Sequence, residues 1–133
     1  MADTRLIYLA GFFDGEGSVG MYEGGRNVAS LTNTDIRPLI MARDLFGGYL
    51  TMQPIRSRPG AVQDLFRWQI YGHSARPFLE AIRPFVMLKG EQIDVYLDAL
   101  AHVPVGRGTR RKPGDTEALG VAASRLRSLK RGA

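Results

Sequence analysis

Nine residues near the start of the chain, Leu9-Ala10-Gly11-Phe12-Phe13-Asp14-Gly15-Glu16-Gly17, set two carboxylates among three glycines at the foot of an apolar stretch. Upstream, Leu6, Ile7, Leu9, Ala10, Phe12 and Phe13 leave almost no polar face, which predicts a helix from about Thr4 to Phe13, buried on most sides. Ala10 and Gly11 give it a small face on which another backbone can approach closely. Gly15 and Gly17 are expected to turn the chain out of the helix. Asp14 and Glu16 are then held at the surface end of a buried element, a costly place for acids that have no work to do.

With 133 residues, 44% of them hydrophobic, the chain has material for one core and not for two of ordinary size. The reading is one domain: a core over about 4–102, a basic Pro/Gly/Arg loop over 103–114 and a last helix over about 115–131. No cysteine is present, so disulfides and thiolate metal sites are excluded, and an intracellular location is expected. No leader pattern opens the sequence, and no apolar run approaches the ~20 residues of a membrane helix, so no membrane partner is expected. A net charge of +5 and a pI near 10.0 favour a polyanion, and arginines spread over turns and tail suit nucleic acid better than a lipid surface.

Beyond the opening stretch, 18–22 and 27–33 read as a hairpin across Glu23-Gly24-Gly25-Arg26, and Asp35 caps a helix to about Leu45 that Gly47-Gly48 stops. A second hairpin joins 49–55 to 65–71 through a long basic turn holding Arg56, Arg58, Pro59 and Gly60. Ser74 caps a helix to Ile82, Pro84 breaks it, and another runs over 92–102. Asp115 caps the last, with Leu119, Ala122, Leu126 and Leu129 inward and Arg125, Arg127, Lys130 and Arg131 outward. This order predicts an α+β fold with one four-stranded antiparallel sheet, its helices on one face. In 65–71, Phe66, Trp68 and Ile70 alternate with Arg67 and Gln69, so the second face, carrying Ser30, Thr32, Thr51, Gln53, Arg67 and Gln69, is left wet for a ligand.

Leu9 to Gly17, with Ser18-Val19-Gly20-Met21-Tyr22 following as a strand, resembles the nine-residue signature of the LAGLIDADG homing endonucleases in the variant LAGFFDGEG. The likeness runs over residues 5–102 and implies an αββαββα core whose saddle-shaped sheet lies on double-stranded DNA. It implies double-strand breaks with short 3′ overhangs in a long pseudo-palindromic target, Mg²⁺ with Mn²⁺ as a substitute, and a role in intron or intein mobility. An intron RNA-splicing maturase with little DNA cleavage, taking RNA as partner, is the alternative within the same resemblance. A single motif supplies one acid and half a saddle, so the chain would act as a homodimer through Leu6, Leu9, Ala10, Gly11, Phe13 and Asp14.

Site residues follow from the same likeness. Glu16 matches the acid that holds metal against the scissile phosphates, here glutamate where many members have aspartate, and the Gly15 carbonyl matches its companion ligand. Asp14 is a further metal candidate, although the motif's first acid usually caps or orients helix ends. Asn33 matches a polar residue that positions water, and Lys89, after Arg83-Pro84-Phe85, matches a lysine beside the scissile phosphate. The wet-face residues, with Arg56, Arg58, Arg110 and Arg111, are the expected DNA contacts. Oxygen donors with no cysteine suit a hard divalent cation.

Overall fold

The computed structural model of the chain describes residues 3–22, 26–58, 61–105 and 110–132; the side chains of 55–58 and 61–63 lie outside that description. Asp3 opens the first helix, α1 (Thr4–Glu16), by accepting the Arg5 N–H at 2.9 Å. This helix continues past Phe13 to take in both acids, because neither Gly15 nor Gly17 has a positive φ. The exit falls at Gly17, where glycine is needed for space: a Cβ there would collide with the buried Phe13 ring. Nor is α1 buried on most sides. Leu9, Ala10 and Phe13 are fully inside, whereas Ile7, Tyr8 and Gly11 are exposed.

Strands β1 (Gly17–Tyr22), β2 (Arg26–Asn33), β3 (Tyr49–Arg58) and β4 (Ala61–Tyr71) form one antiparallel sheet in the order β1-β2-β4-β3. Helices α2 (Arg37–Phe46), α3 (Arg76–Ile82), α4 (Gly90–Ala99) and α5 (Asp115–Gly132) complete the α+β fold. The second hairpin is longer than the expected 49–55 and 65–71, pairing as far as Arg58 with Ala61 through an irregularity between Arg56 and Arg58. Pro59 and Gly60, like Glu23 to Gly25 of the first turn and residues 106–109 of the basic loop, lie outside the described residues.

Alternation along β4 sorts the two faces as its sequence demands. Trp68 is fully buried on the helix side, edge-on to Phe78 with ring centres 4.8 Å apart, and donates its indole N–H to the Gly47 carbonyl at 2.7 Å. Gly47 and Gly48 take φ of 78° and 93°, and a Cβ on Gly48 would sit 2.8 Å from the indole nitrogen. The glycine pair that stops α2 therefore also lets the backbone lie against Trp68. Around this centre Leu9, Phe13, Leu31, Leu39, Leu79, Ile82, Ile93 and Tyr96 close the core.

Several caps differ from expectation. Asp35 does accept the Arg37 N–H at 3.0 Å, whereas Ser74 caps nothing, being taken into a 3-10 turn (Gly72–Ala75) that leads into α3 with Pro77 in its first turn. Helix α4 starts two residues before Gln92 and tightens into a 3-10 turn over Leu100–His102. Asp115 is the first residue of α5, its carboxylate held by His102 Nδ1 at 2.9 Å and the Lys112 N–H at 2.6 Å. Leu119 and Leu126 are buried as the expected stripe requires.

Candidate functional site

The foot of α1 gathers the first group of candidate residues. Helix C-termini carry partial negative charge, and this last turn holds Asp14 and Glu16 with no basic residue of its own. The two acids separate by partner. Asp14 accepts three consecutive backbone N–H groups, from Met87 at 2.6 Å, Leu88 at 3.1 Å and Lys89 at 3.2 Å, so its carboxylate fills the concave turn that leads into α4. Glu16 is exposed and makes no hydrogen bond or ion pair among the described residues. The division favours Glu16 for a ligand and Asp14 for bracing.

Lys89 stands beside them. Its ammonium donates to the Gly17 carbonyl at 2.5 Å and lies 5.8 Å from the centre of the Phe13 ring. Burial pushes its pKa down, and the charges of Asp14 and Glu16 oppose that shift. The Gly15 carbonyl belongs to the last turn of α1, where helix carbonyls have no intrahelical partner. The Glu16 carboxylate and the Gly15 carbonyl, neither hydrogen-bonded among the described residues, form an all-oxygen donor pair, the chemistry of a hard divalent cation.

Asn33 is not part of this cluster. Its side-chain oxygen accepts the Asp35 N–H at 2.8 Å, and it lines a groove between α1 and α2 with Tyr8, Phe12, Arg37 and Met41. No hydrogen bond joins it to Glu16 or Lys89 among the described residues.

The sheet face away from the helices brings the second group together. Register places Ser30 opposite Gln69 and Gln69 opposite Tyr49, then Thr32 opposite Arg67 and Arg67 opposite Thr51, with Gln53 next along β3. These residues share one face, and the Arg67 guanidinium is exposed with no hydrogen bond among the described residues. Tyr49, Tyr71 and Arg26, which sequence reading passed over, lie on the same face. The two tyrosine rings are 6.0 Å apart, Arg26 sits 6.0 Å above Tyr71, and the Tyr71 hydroxyl donates to Gln69 at 3.1 Å. Strand parity was the signal that could have found them. Arg110 and Arg111 are exposed just before α5, Arg111 donating to Thr116 at 3.3 Å, whereas the Arg56 and Arg58 side chains lie outside the described residues.

Of the six residues expected at a subunit contact, Leu9, Ala10 and Phe13 are fully inside the chain's own core and so are unavailable to a partner. Asp14 is committed to the turn before α4. The open face of α1 is instead Thr4, Ile7, Tyr8, Gly11 and Gly15, spaced at three and four residues, and a Cβ added at Gly11 or Gly15 would meet nothing within 4 Å. Lys130, expected to face outward, is folded back: its ammonium donates to the Val19 carbonyl at 2.6 Å and lies 3.3 Å from Ser18 Oγ.

No protein-family profile and no curated protein matches the chain. Two crystal structures of the homing endonuclease I-CvuI do. One, in complex with its target in the presence of 2 mM Ca, superposes with a TM-score of 0.71 at 19% identity, over 95% of this chain and 82% of that one. The other, in complex with the I-CreI target in the presence of 2 mM Mg with the DNA not cleaved, gives 0.68 at 18% identity over the same shares. The fold of this chain is thus the homing-endonuclease fold, in agreement with the signature at Leu9 to Gly17.

Proposed function

We propose that this chain is a site-specific DNA endonuclease that works as a homodimer with divalent metal, cutting both strands of a long near-palindromic site and leaving short 3′ overhangs. One observation carries the reading: Glu16 is an exposed carboxylate with no hydrogen bond or ion pair among the described residues, on the negative end of a helix and next to a half-buried lysine. Such an arrangement is relieved by a cation and an anion arriving together, and a metal with a DNA phosphate is that pair.

Glu16 and the Gly15 carbonyl would hold the metal, with Mn²⁺ able to replace Mg²⁺. When bound, it supplies an activated water and neutralises charge at the scissile phosphate. Lys89, fixed by its bond to Gly17 and by Asp14 beneath its backbone, keeps its remaining N–H donors for the charge that develops on phosphate oxygens. The polar sheet face presents Arg67, Gln69, Thr32 and Thr51 to base edges, with Ser30 and Gln53 alongside.

Dimerisation follows from stoichiometry and surface. Each chain contributes one such acid at the foot of α1, whereas two strands need two. Beside the open face of α1 with Ile7 and Tyr8, the turn held by Asp14 exposes Met87 and Leu88 at 88% and 72%, an apolar surface suited to a second copy. The deciding experiment selects cleaved sequences from a randomised duplex library with and without Mg²⁺, using wild type and Glu16→Gln. The expected result is one enriched site, cut only by wild type and only with metal. Cleavage that survives Glu16→Gln removes Glu16 from the centre, and no cleavage of any sequence by wild type overturns the function.

A further inference from the structure

An edge strand presents a row of backbone groups with no sheet partner, and folds usually cover it. Among the described residues β1 is such an edge, paired with β2 alone. Residues two apart on a strand point their carbonyls to the same side, about 6.6 Å from one another. On β1 those carbonyls belong to Gly17 and Val19, and each accepts from a lysine: Lys89 at 2.5 Å and Lys130 at 2.6 Å. The first comes from the start of α4 and the second from the last turn of α5, both of which pack against this strand.

Covering carbonyls does not by itself call for two ammonium groups side by side. Burial pushes the Lys130 pKa down, and the Lys89 charge pushes it further. Like charges so placed repel, and the arrangement is stabilised when an anion comes between them or onto them. Lys130 uses two of its three donors, on Val19 and Ser18, and keeps one. Ser18 stands on the DNA side of the sheet by register with Ser30, one residue beyond Gly17 and two beyond Glu16.

We propose that Lys130 is a second phosphate-binding residue of the cleavage site, forming with Lys89 a two-cation edge on β1 that holds the DNA backbone beside Glu16. Helix α5 is then part of the working surface and not only a cover for the core. This rests on the endonuclease reading, and the experiment separates the two.

The test compares wild type, Lys130→Met and Lys130→Arg in binding to a mixed-sequence duplex as salt is raised from about 50 to about 200 mM, the range over which phosphate-bound proteins lose affinity steeply. Lys130→Met should lower the slope of log affinity against log salt by about 0.9 for each phosphate that the variant no longer neutralises, and Lys130→Arg should restore it. On wild-type protein, bound duplex should protect Lys130 from amine acylation, read by mass spectrometry, which needs no variant to fold. An unchanged slope in Lys130→Met, or Lys130 left unprotected under DNA, reduces it to an edge cap and overturns the inference while leaving the nuclease reading intact. Wild type that binds no duplex at any salt overturns both.

Discussion

Asp14 and Glu16 sit two residues apart in one helical turn, and the structure gives Asp14 three hydrogen bonds and Glu16 none among the described residues, a difference that a stability measurement can read. Asp14→Ala removes the acceptor of three N–H groups from the turn over Met87 to Lys89, residues 73 to 75 positions away in sequence. A carboxylate that receives backbone N–H groups at a helix start is worth about 0.5–2 kcal/mol, and its charge adds about 0.3–1 kcal/mol more. Part exposure lets water replace some of this, which places the loss near ~2 kcal/mol. For 133 residues the unfolding entropy is about 0.28 kcal/mol/K, so Tm should fall by about 7 °C. Asp14→Asn should lose less, because one oxygen still accepts from Leu88 and Lys89 while the new amide faces the Met87 N–H. Glu16→Gln, with no hydrogen bond to lose among the described residues, should unfold close to wild type. The assay is thermal unfolding by circular dichroism in chelator without DNA, at one fixed protein concentration because a dimer's Tm depends on it. If Asp14→Ala melts within a degree or two of wild type and Glu16→Gln falls instead, Glu16 is the brace and Asp14 the ligand.

Gly11→Leu should leave the single-chain fold intact, since a Cβ there meets nothing within 4 Å, yet shift sedimentation equilibrium toward monomer; an unchanged dimer takes α1 out of the interface. Arg67→Ala should relax preference at one base pair per half-site, a bidentate contact being worth about 1–3 kcal/mol, in a cleavage profile over all single-base variants of the target at fixed salt. A uniform loss with a shallower salt slope would make Arg67 a backbone contact instead. Arg83, donating to Asp94 at 2.8 Å through each of two nitrogens, holds the Asp94 carboxyl below its usual pKa. Both side chains are substantially exposed, so Asp94→Asn should cost under about 1 kcal/mol near neutral pH. A lowered carboxyl pKa stabilises above about pH 4, so the gap between variant and wild type should close as pH falls below that; a gap that widens in acid would refute the pairing.

Much of this architecture is legible because periodicity reports which face of an element is buried. Phe66-Arg67-Trp68-Gln69-Ile70 sorts its side chains unaided, and the structure puts Trp68 in the core and Arg67 and Gln69 opposite. Periodicity stops informing where a constraint is steric or crosses from one element to another. Gly15 and Gly17 read as turning the chain out after Phe13 because glycines often do so, but the helix runs to Glu16, and position 17 is glycine because a Cβ there would collide with the Phe13 ring. Leu9, Ala10 and Phe13 read as available to a partner because the motif looks apolar all round, but one side of α1 is spent on its own core, which leaves Ile7, Tyr8 and Gly11 as its open face. Lys130 is the limiting case. In a tail of alternating leucine and basic residues a lysine off the Leu119-Leu126 stripe reads as solvated, and along the helix nothing contradicts that. Its acceptor is 111 residues away on the free edge of β1, and no pattern within one element encodes that meeting. It exists because α4 and α5 pack together against β1, so the residue that sequence alone would discard first is the one the assembled fold sets beside Lys89.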